Sequence, residues 1–257
     1  MRLLKKIFNS RAIIFLRNLV GFRPVKFFIT KQKNISISDT FIWRNENGFT
    51  TIVRFSDILK KFYGASNSSI EIIFFDHNRN KLKELFLDKT ELSNELVIDQ
   101  NFLEGYIGSG IFYIYHSFKN KLDFKEKIAV SNRCYVGYSI NGQLPSFVHG
   151  NYLAGFQDLN SKKCYYNIIQ KSFFRKKYQI QCDFSELDKI ELVFTNPLSH
   201  KIRFWVNKTR FNLEGGSLKI ISLRKYNKPL ISIFSNLMFF RPIIFTYKDE
   251  SYDVYHS

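Results

Sequence analysis

The stretch Ile70–Phe75 reads IEIIFF, and 120 residues further along the chain Ile190–Phe194 reads IELVF. Short runs rich in β-branched and aromatic residues, bounded by turn residues, are typical of buried β-strands. The pattern recurs at short intervals, so the sequence predicts an all-β protein. The other runs of this kind are Gly110–Tyr115, Tyr135–Ile140, Ile202–Val206, Leu218–Leu223, Leu230–Phe234 and Ile243–Tyr247.

Turn residues separate these runs. Asn141-Gly142 predicts a two-residue hairpin turn, because both of its central residues must adopt positive φ. Asp76–Asn80, Asn196-Pro197 and Gly215-Gly216 predict further turns. Ile58–Tyr63 (ILKKFY) is expected to form one or two helical turns, and no long helix is expected after residue 34.

An internal repeat relates the predicted strands to one another. The offset of 120 pairs Ile70–Phe74 with Ile190–Phe194, and the same offset pairs Gly110–Ile114 with Leu230–Phe234. Coincidence among Ile- and Phe-rich strands is the alternative explanation. Because the match covers strands and turns in the same order, the duplication is the better interpretation.

The repeat predicts a domain organisation. We expect two duplicated β-sandwich domains in tandem, at residues 35–155 and 160–257, with strands of 60–117 superposing on those of 180–236. Two copies of one sandwich would leave a cleft between them, and such a cleft is a natural ligand site.

Residues 1–34 form a basic N-terminal arm. The first 33 residues contain four Arg and five Lys without an acid, so +9 of the net charge of +17 lies there. Apolar residues at i, i+3, i+4 and i+7 predict an amphipathic helix. The apolar run Ala12–Leu16 is far below the about 20 residues that span a bilayer. The arm could bind an anionic membrane, dock on the body or act as a targeting segment; its membrane-binding candidates are Arg2, Lys5, Lys6, Arg11 and Arg17.

The basic charge also allows a nucleic-acid partner. Phe173–Tyr178 (FFRKKY) interleaves cations with aromatic residues, as single-strand binders do. The known motifs of RNA-binding domains are missing, and a solvated basic strand edge explains the stretch as well. Nucleic acid is therefore the less favoured partner. The sequence leaves homo-oligomers open.

The cysteines indicate a reducing compartment. Cys134, Cys164 and Cys182 are an odd number without C-x-x-C spacing, which argues against a disulfide framework and a zinc knuckle. Buried free thiols in a cytoplasmic protein, peripheral on the inner membrane face if the arm binds lipid, are the expectation. Metal-protease, phosphate-loop and nucleophile-elbow motifs are not found, so we predict no catalytic residue, metal or cofactor.

Two histidines stand at corresponding strand ends. An offset of 107 pairs Ser146–His149 with Asp253–His256, so the two imidazoles would approach each other if the two copies face one another. Independent strand-end histidines bonded to backbone are the more common arrangement. The polar and aromatic segment before His149 adds candidates, and the full set of predicted ligand-binding residues is Arg133, Tyr138, His149, Asn151 and His256.

The second half resembles a known kind of small β-sandwich. Gly216–Ile221, Pro229–Asn236 and Arg241–Tyr247 follow one another in an order similar to that of the sensory-rhodopsin-transducer family. This resemblance covers about forty residues in each half. It implies a soluble sandwich that binds partners or small ligands rather than a catalyst, and it assigns no functional residue.

The combined prediction is a non-catalytic recognition protein near the membrane surface, with a glycan or glycan precursor as ligand. Aromatic faces together with amide and hydroxyl groups match the C–H faces and hydroxyls of a sugar. One alternative is an enzyme of surface-polysaccharide metabolism that acts in the interdomain cleft. The other is an RNA-binding module.

Overall fold

The structure is a computed structural model, and it describes the chain with gaps. The described residues are 34–88, 93–118, 128–131, 134–150, 153–159, 164–166, 171–198, 200–237 and 240–256, with 7, 10, 12, 13, 15 and 16 in the arm.

Strands dominate the described residues. The strands of the first half are β1 (Asn34–Asp39), β2 (Phe41–Arg44), β3 (Phe49–Phe55), β4 (Ser68–Asp76), β5 (Lys81–Leu87), β6 (Asn94–Ile98), β7 (Ser109–Phe118), β8 (Ile128–Ser131), β9 (Tyr135–Ile140), β10 (Ser146–His149), β11 (Leu153–Asp158) and β12 (Cys164–Tyr166). Those of the second half are β13 (Lys171–Gln181), β14 (Lys189–Thr195), β15 (Ile202–Val206), β16 (Thr209–Leu213), β17 (Leu218–Arg224), β18 (Leu230–Leu237), β19 (Ile243–Lys248) and β20 (Ser251–His256).

The predicted all-β class is confirmed, since each of the eight predicted runs lies in a strand. The predicted short helix is also present at Ile58–Tyr63. It begins where the Asp57 carboxylate accepts the Lys60 backbone N–H, and it ends at Gly64, whose φ of 63° suits glycine. Asn141 and Gly142 both have positive φ, as the predicted hairpin turn requires.

The described strands form five four-stranded sheets. We number them I to V and give the strands of each sheet in the order in which they are hydrogen-bonded. They are sheet I (β12-β11-β1-β8), sheet II (β2-β7-β4-β5), sheet III (β10-β9-β3-β6), sheet IV (β17-β14-β19-β20) and sheet V (β13-β18-β15-β16). The neighbouring strands are antiparallel, except that β1 and β8 are parallel.

Sheet IV is the central layer of the molecule because both of its faces are buried. On β14, Val193 packs into a core shared with sheets II and III, which we call core 1. Its neighbours Leu192 and Phe194 pack into a second core, core 2, with sheet V. The same alternation places Phe245 of β19 in core 1 and Ile244 in core 2. Burial on both faces explains why these strands are almost continuously apolar.

Core 1 unites the two halves of the chain. It contains Trp43 and Tyr138 from the first half together with Phe245 and Val254 from the second. The expected cleft between two separate sandwiches is therefore filled by side chains along this contact. A ligand site therefore has to lie outside this contact between the halves. The domain boundaries at 35–155 and 160–257 stay predictions.

The predicted strand-for-strand superposition of 60–117 on 180–236 is wrong. The offset of 120 equates β4, β5 and β7 with β14, β15 and β18. In the structure β4 pairs with both β5 and β7 in sheet II. In contrast β14 pairs with β17 and β19, whereas β15 and β18 pair with each other in sheet V. The offset of 120 therefore equates strands whose neighbours do not correspond, although the order β2-β7-β4-β5 of sheet II matches β13-β18-β15-β16 of sheet V, and the order β10-β9-β3-β6 of sheet III matches β20-β19-β14-β17 of sheet IV.

Most of the arm lies outside the described residues, and so do its candidate cations Arg2, Lys5, Lys6, Arg11 and Arg17. The amphipathic helix stays a prediction; five described arm residues are helical, namely Ile7, Ala12, Ile13, Phe15 and Leu16. In the part of the chain that the structure describes, no helix combines the length and apolarity that a membrane crossing needs. Cys134 is a buried free thiol as expected, but Cys182 is an exposed one.

Candidate functional site

The outer face of sheet III concentrates aromatic and charged side chains. Its inner residues enter core 1: Val53 and Val136 are buried there. Because successive side chains of a strand point to opposite faces, the residues between them face outward. The outward residues used below, which we call the aromatic face, are Thr50, Ile52, Arg54, Glu95, Val97, Tyr135, Phe147 and His149.

Strand register arranges this face in rows. His149 lies opposite Tyr135, Tyr135 opposite Arg54, and Arg54 opposite Glu95, so four strands contribute one continuous row. The Tyr135 ring is 56% exposed. The Arg54 guanidinium donates to Glu95 Oε2 over 2.7 Å, and both side chains are about half exposed. The row therefore offers an accessible ring beside a compensated ion pair.

The next row places Phe147 above a glycine. A Cβ atom on Gly137 would lie 2.5 Å from Phe147 Cε1, so only glycine lets the ring lie close to the strand. The Arg54 guanidinium stacks 4.6 Å from the centroid of the same ring. The position of Phe147 is thus determined by its two neighbours, Gly137 and Arg54.

His149 and His256 approach each other as the sequence predicts. Their ring centroids are 4.3 Å apart and their planes are tilted by 35°. The contact belongs to a seam between the edge strands β10 and β20. There Ser146 Oγ donates to Asp253 Oδ1 over 2.8 Å and accepts the backbone N–H of Val254 over 3.1 Å. The two rings therefore meet where β10 and β20 adjoin, and each of these strands is the edge strand of a sheet with the same order, β10-β9-β3-β6 and β20-β19-β14-β17.

The pair is not arranged as a metal site. Two imidazoles supply only half of the four ligands that zinc takes in a structural site. Among the described residues, no cluster of three or more His, Cys, Asp or Glu could hold a metal. Burial, followed by electrostatic repulsion from the neighbouring His149 ring, lowers the pKa of His256. His149 is exposed, and its Nδ1 lies 3.1 Å from the Gly150 carbonyl oxygen.

A polar cavity of about 310 Å³ adjoins the start of β3. Thr50, Asp99, Gln100 and Asn101 contribute to its lining. Asn45 supports this loop, because its side-chain amide donates to the carbonyl oxygens of Asp99 and Tyr106. The aromatic face thus ends at a cavity rich in amide, hydroxyl and carboxylate groups.

The remaining predicted ligand residues are placed as follows. Tyr138 lies in core 1: its ring is 0% exposed, and its hydroxyl donates to the Ile42 carbonyl oxygen over 3.0 Å. Burial raises its pKa far above the usual range for tyrosine. It therefore cannot meet a ligand at the surface, because it belongs to the inward set of β9. Arg133 and Asn151 lie outside the described residues.

Sequence reasoning missed Tyr135, Phe147, Arg54 and Glu95. Tyr135 and Phe147 lie within the polar and aromatic segment before His149, whose composition alone does not tell which residues share a strand face. Alternation along β9 contains the signal, since Tyr135 and Gly137 share one face while Val136 and Tyr138 share the other. Arg54 and Glu95 come from β3 and β6, and only the sheet order brings them to this site.

Comparisons with known proteins add no function. No family model matches the chain, and no curated protein matches it significantly. One solved structure, described as "anti-sigma factor domain-containing protein", aligns over 85% of this chain and 80% of its own. The sequence identity is 8% and the TM-score is 0.22. A similarity this low carries no argument, so the function has to be argued from the geometry.

Proposed function

We propose that the protein is a non-catalytic recognition protein that binds a glycan on the aromatic face of sheet III. The observation that carries the proposal is the row of His149, Tyr135, Arg54 and Glu95 beside the Phe147 ring. Accessible rings and hydrogen-bonding groups alternate there on a rigid antiparallel sheet. This combination matches a sugar, which presents C–H faces and hydroxyl groups in alternating directions.

The charges of this face favour an uncharged sugar ring over a strongly anionic one. Arg54 is compensated by Glu95 over 2.7 Å. Its guanidinium and the Glu95 carboxylate retain hydrogen-bonding capacity towards hydroxyl groups because both are about half exposed. The cavity at Thr50 and Asp99 extends the face, so a second sugar unit would find amide and carboxylate partners there.

The alternative of an enzyme acting in an interdomain cleft loses its support. That alternative depends on open space between the halves, and core 1 fills the contact with residues of both. The RNA-binding alternative rested on Phe173–Tyr178. One cation of that stretch, Arg175, lies on sheet V, away from the aromatic face.

A glycan array printed with neutral and acidic oligosaccharides tests the proposal, followed by titration calorimetry with the glycan that binds best. We expect Tyr135→Ala and His149→Ala each to weaken binding by about tenfold, as the loss of a ring contact of about 1.5 kcal/mol implies. Phe62→Ala is the matched control, because Phe62 is 68% exposed on the short helix. Wild-type protein that binds no glycan, or unchanged affinity in both variants, contradicts the proposal.

Placement at a membrane surface is a separate proposal, and the basic arm supports it. Each basic residue near an anionic surface contributes about 1 kcal/mol, and residues 1–33 carry +9. Sedimentation with neutral and anionic vesicles, using the full chain and a chain lacking residues 1–30, checks this. We expect binding to anionic vesicles that is lost with the arm. Equal binding to both vesicle types, or binding that survives the deletion, contradicts it.

A further inference from the structure

The strands of sheet V carry positive charge without negative charge. No aspartate or glutamate occurs in β13, β15, β16 or β18. On β15, Ile202, Phe204 and Val206 are buried in core 2, so the alternate residues Arg203 and Trp205 face outward. Arg210 lies opposite Trp205 and shares this outer face. The basic residues of the four strands are Lys171, Arg175, Lys176, Lys177, Arg203 and Arg210.

A cavity opens where two strand ladders of this sheet break. The pairing of β15 with β18 covers only Phe204–Val206. On the other side of β18, the pairing with β13 shifts register between Lys171 and Lys176. Both breaks lie beside Asn236, and the cavity there has a volume of about 430 Å³. The irregular part of β13 brings the Arg175 guanidinium to 4.0 Å from the centroid of the Trp205 ring.

Four cations line this cavity: Arg175, Lys201, Arg203 and Arg210. Lys201 is compensated, since its Nζ lies 2.6 Å from Glu214 Oε1. Within the described part of the chain, the three arginines have no carboxylate in ion-pair contact. Like charges that converge on one cavity repel one another, and a bound anion would remove that repulsion.

We propose that this cavity binds the phosphate group of a phosphorylated small molecule. Arginine presents a planar fork of N–H donors that matches phosphate oxygens in pairs. A phosphate monoester carries about −1.5 to −2 charges at neutral pH and therefore compensates several arginines at once, whereas a carboxylate carries one. Phosphate is the chemistry that three uncompensated arginines fit best.

The cavity is larger than one phosphate group, so it has room for an attached ring. Trp205 offers an apolar surface and Asn236 an amide, which suit a sugar or a nucleoside. Sugar phosphates and nucleotides share the phosphate that the arginines would hold. The site lies on sheet V, and its failure would leave the glycan proposal on sheet III untouched.

Titration calorimetry on the full chain with inorganic pyrophosphate, glucose 1-phosphate and adenosine monophosphate tests the proposal. We expect saturable binding of at least one of these probes, weakening as salt is added. Arg203→Gln and Arg210→Gln should each lower its affinity about tenfold or more, as expected for a charge-assisted hydrogen bond. Arg224→Gln, an exposed arginine on β17, is the matched control and should bind like wild type.

Tryptophan fluorescence locates the bound probe. The chain has 2 Trp, and the other one, Trp43, is 0% exposed in core 1. A fluorescence change on binding should disappear in Trp205→Phe while the heat of binding remains. Preference for glucose 1-phosphate assigns the cavity to sugar phosphates, and preference for adenosine monophosphate assigns it to nucleotides. The proposal is overturned if no probe binds, if Arg203→Gln and Arg210→Gln bind like wild type, or if glucuronate binds as tightly as glucose 1-phosphate.

Discussion

The strands β4 and β14 share a sequence pattern but differ in their neighbours. Each contains an Ile-Glu pair followed by two aliphatic residues and Phe, each is hydrogen-bonded on both sides, and each buries its glutamate. The neighbours of β4 are β5, which follows it directly in the chain, and β7. The neighbours of β14 are β17 and β19, while the chain passes from β14 into sheet V.

The comparison teaches what such a pattern encodes. Apolar residues on both faces specify a strand that is covered on both sides, but they do not specify which strands cover it. The two glutamates show the difference directly. Glu71 accepts a hydrogen bond of 2.7 Å from the Gln157 side-chain amide. Glu191 accepts Arg44 over 2.7 Å and the Tyr247 hydroxyl over 2.9 Å, and it pairs with Lys189 over 2.6 Å.

The largest effect is expected from breaking the Arg44–Glu191 pair. Arg44 is 2% exposed, and its guanidinium lies against the rings of Phe49 and Phe245 at 4.1 and 4.9 Å. Arg44→Met leaves the Glu191 carboxylate buried without its main partner, so the free energy of unfolding should fall by about 3–5 kcal/mol. Urea denaturation followed by circular dichroism measures this loss.

Two further variants sharpen the comparison between β4 and β14. The double variant Arg44→Met with Glu191→Leu removes both charges, and it should recover at least half of the loss. Glu71→Gln keeps an oxygen acceptor for Gln157 and should cost less than about 1.5 kcal/mol. A double variant as unstable as Arg44→Met alone would assign the loss to the other ion pair of Arg44, with Glu46 Oε1 at 2.8 Å, rather than to the pair with Glu191. A Glu71→Gln loss equal to that of Arg44→Met would remove the distinction between the two strands.

Local features of the fold could be predicted from the sequence, and long-range ones could not. Ile58–Tyr63 and the Asn141-Gly142 turn depend on neighbouring residues, and both agree with the structure. The register after that turn does not follow from it. A two-residue turn pairs Ile140 with Gln143, yet Tyr138 pairs with Ser146, so one extra residue is inserted between the two pairs. A shift of one residue exchanges the two faces of a strand.

The candidate sites could be predicted only in part for the same reason. The offset of 107 pairs His149 with His256 and predicts their approach, and the structure places this contact at the seam between β10 and β20. The cavity of sheet V combines Arg175 with Arg203 and Arg210, which come from three strands. Pairing of distant strands places these side chains together, and no spacing in one segment reveals it.

The strands β4 and β14 also differ in whether a titratable residue pairs with their first isoleucine. Opposite Ile70 on β7 lies His116, whereas opposite Ile190 on β19 lies Thr246. His116 is 0% exposed, and its Nδ1 is 3.9 Å from Asp57 Oδ1. Burial lowers the pKa of His116 to about 4, although the Asp57 charge acts in the opposite direction. The imidazole beside β4 should therefore make stability depend on pH, whereas Thr246, at the matching place beside β14, does not titrate.

The last and smaller effect is the loss of stability as pH falls from 7 to 5. The pKa of a histidine in the unfolded chain is about 6.5, so the unfolded state binds a proton in this range and the folded state does not. Stability from this group is complete above pH 6.5 and declines until the folded pKa near 4 is reached. The expected loss at pH 5 is about 2 kcal/mol, measured by urea denaturation at each pH.

In His116→Phe the decline should be smaller by that amount, whereas His77→Asn, at an exposed turn, should keep the wild-type slope. If His116→Phe has the wild-type slope between pH 7 and 5, the buried imidazole is not the source of the pH dependence, and the contrast between β4 and β14 reduces to their glutamates.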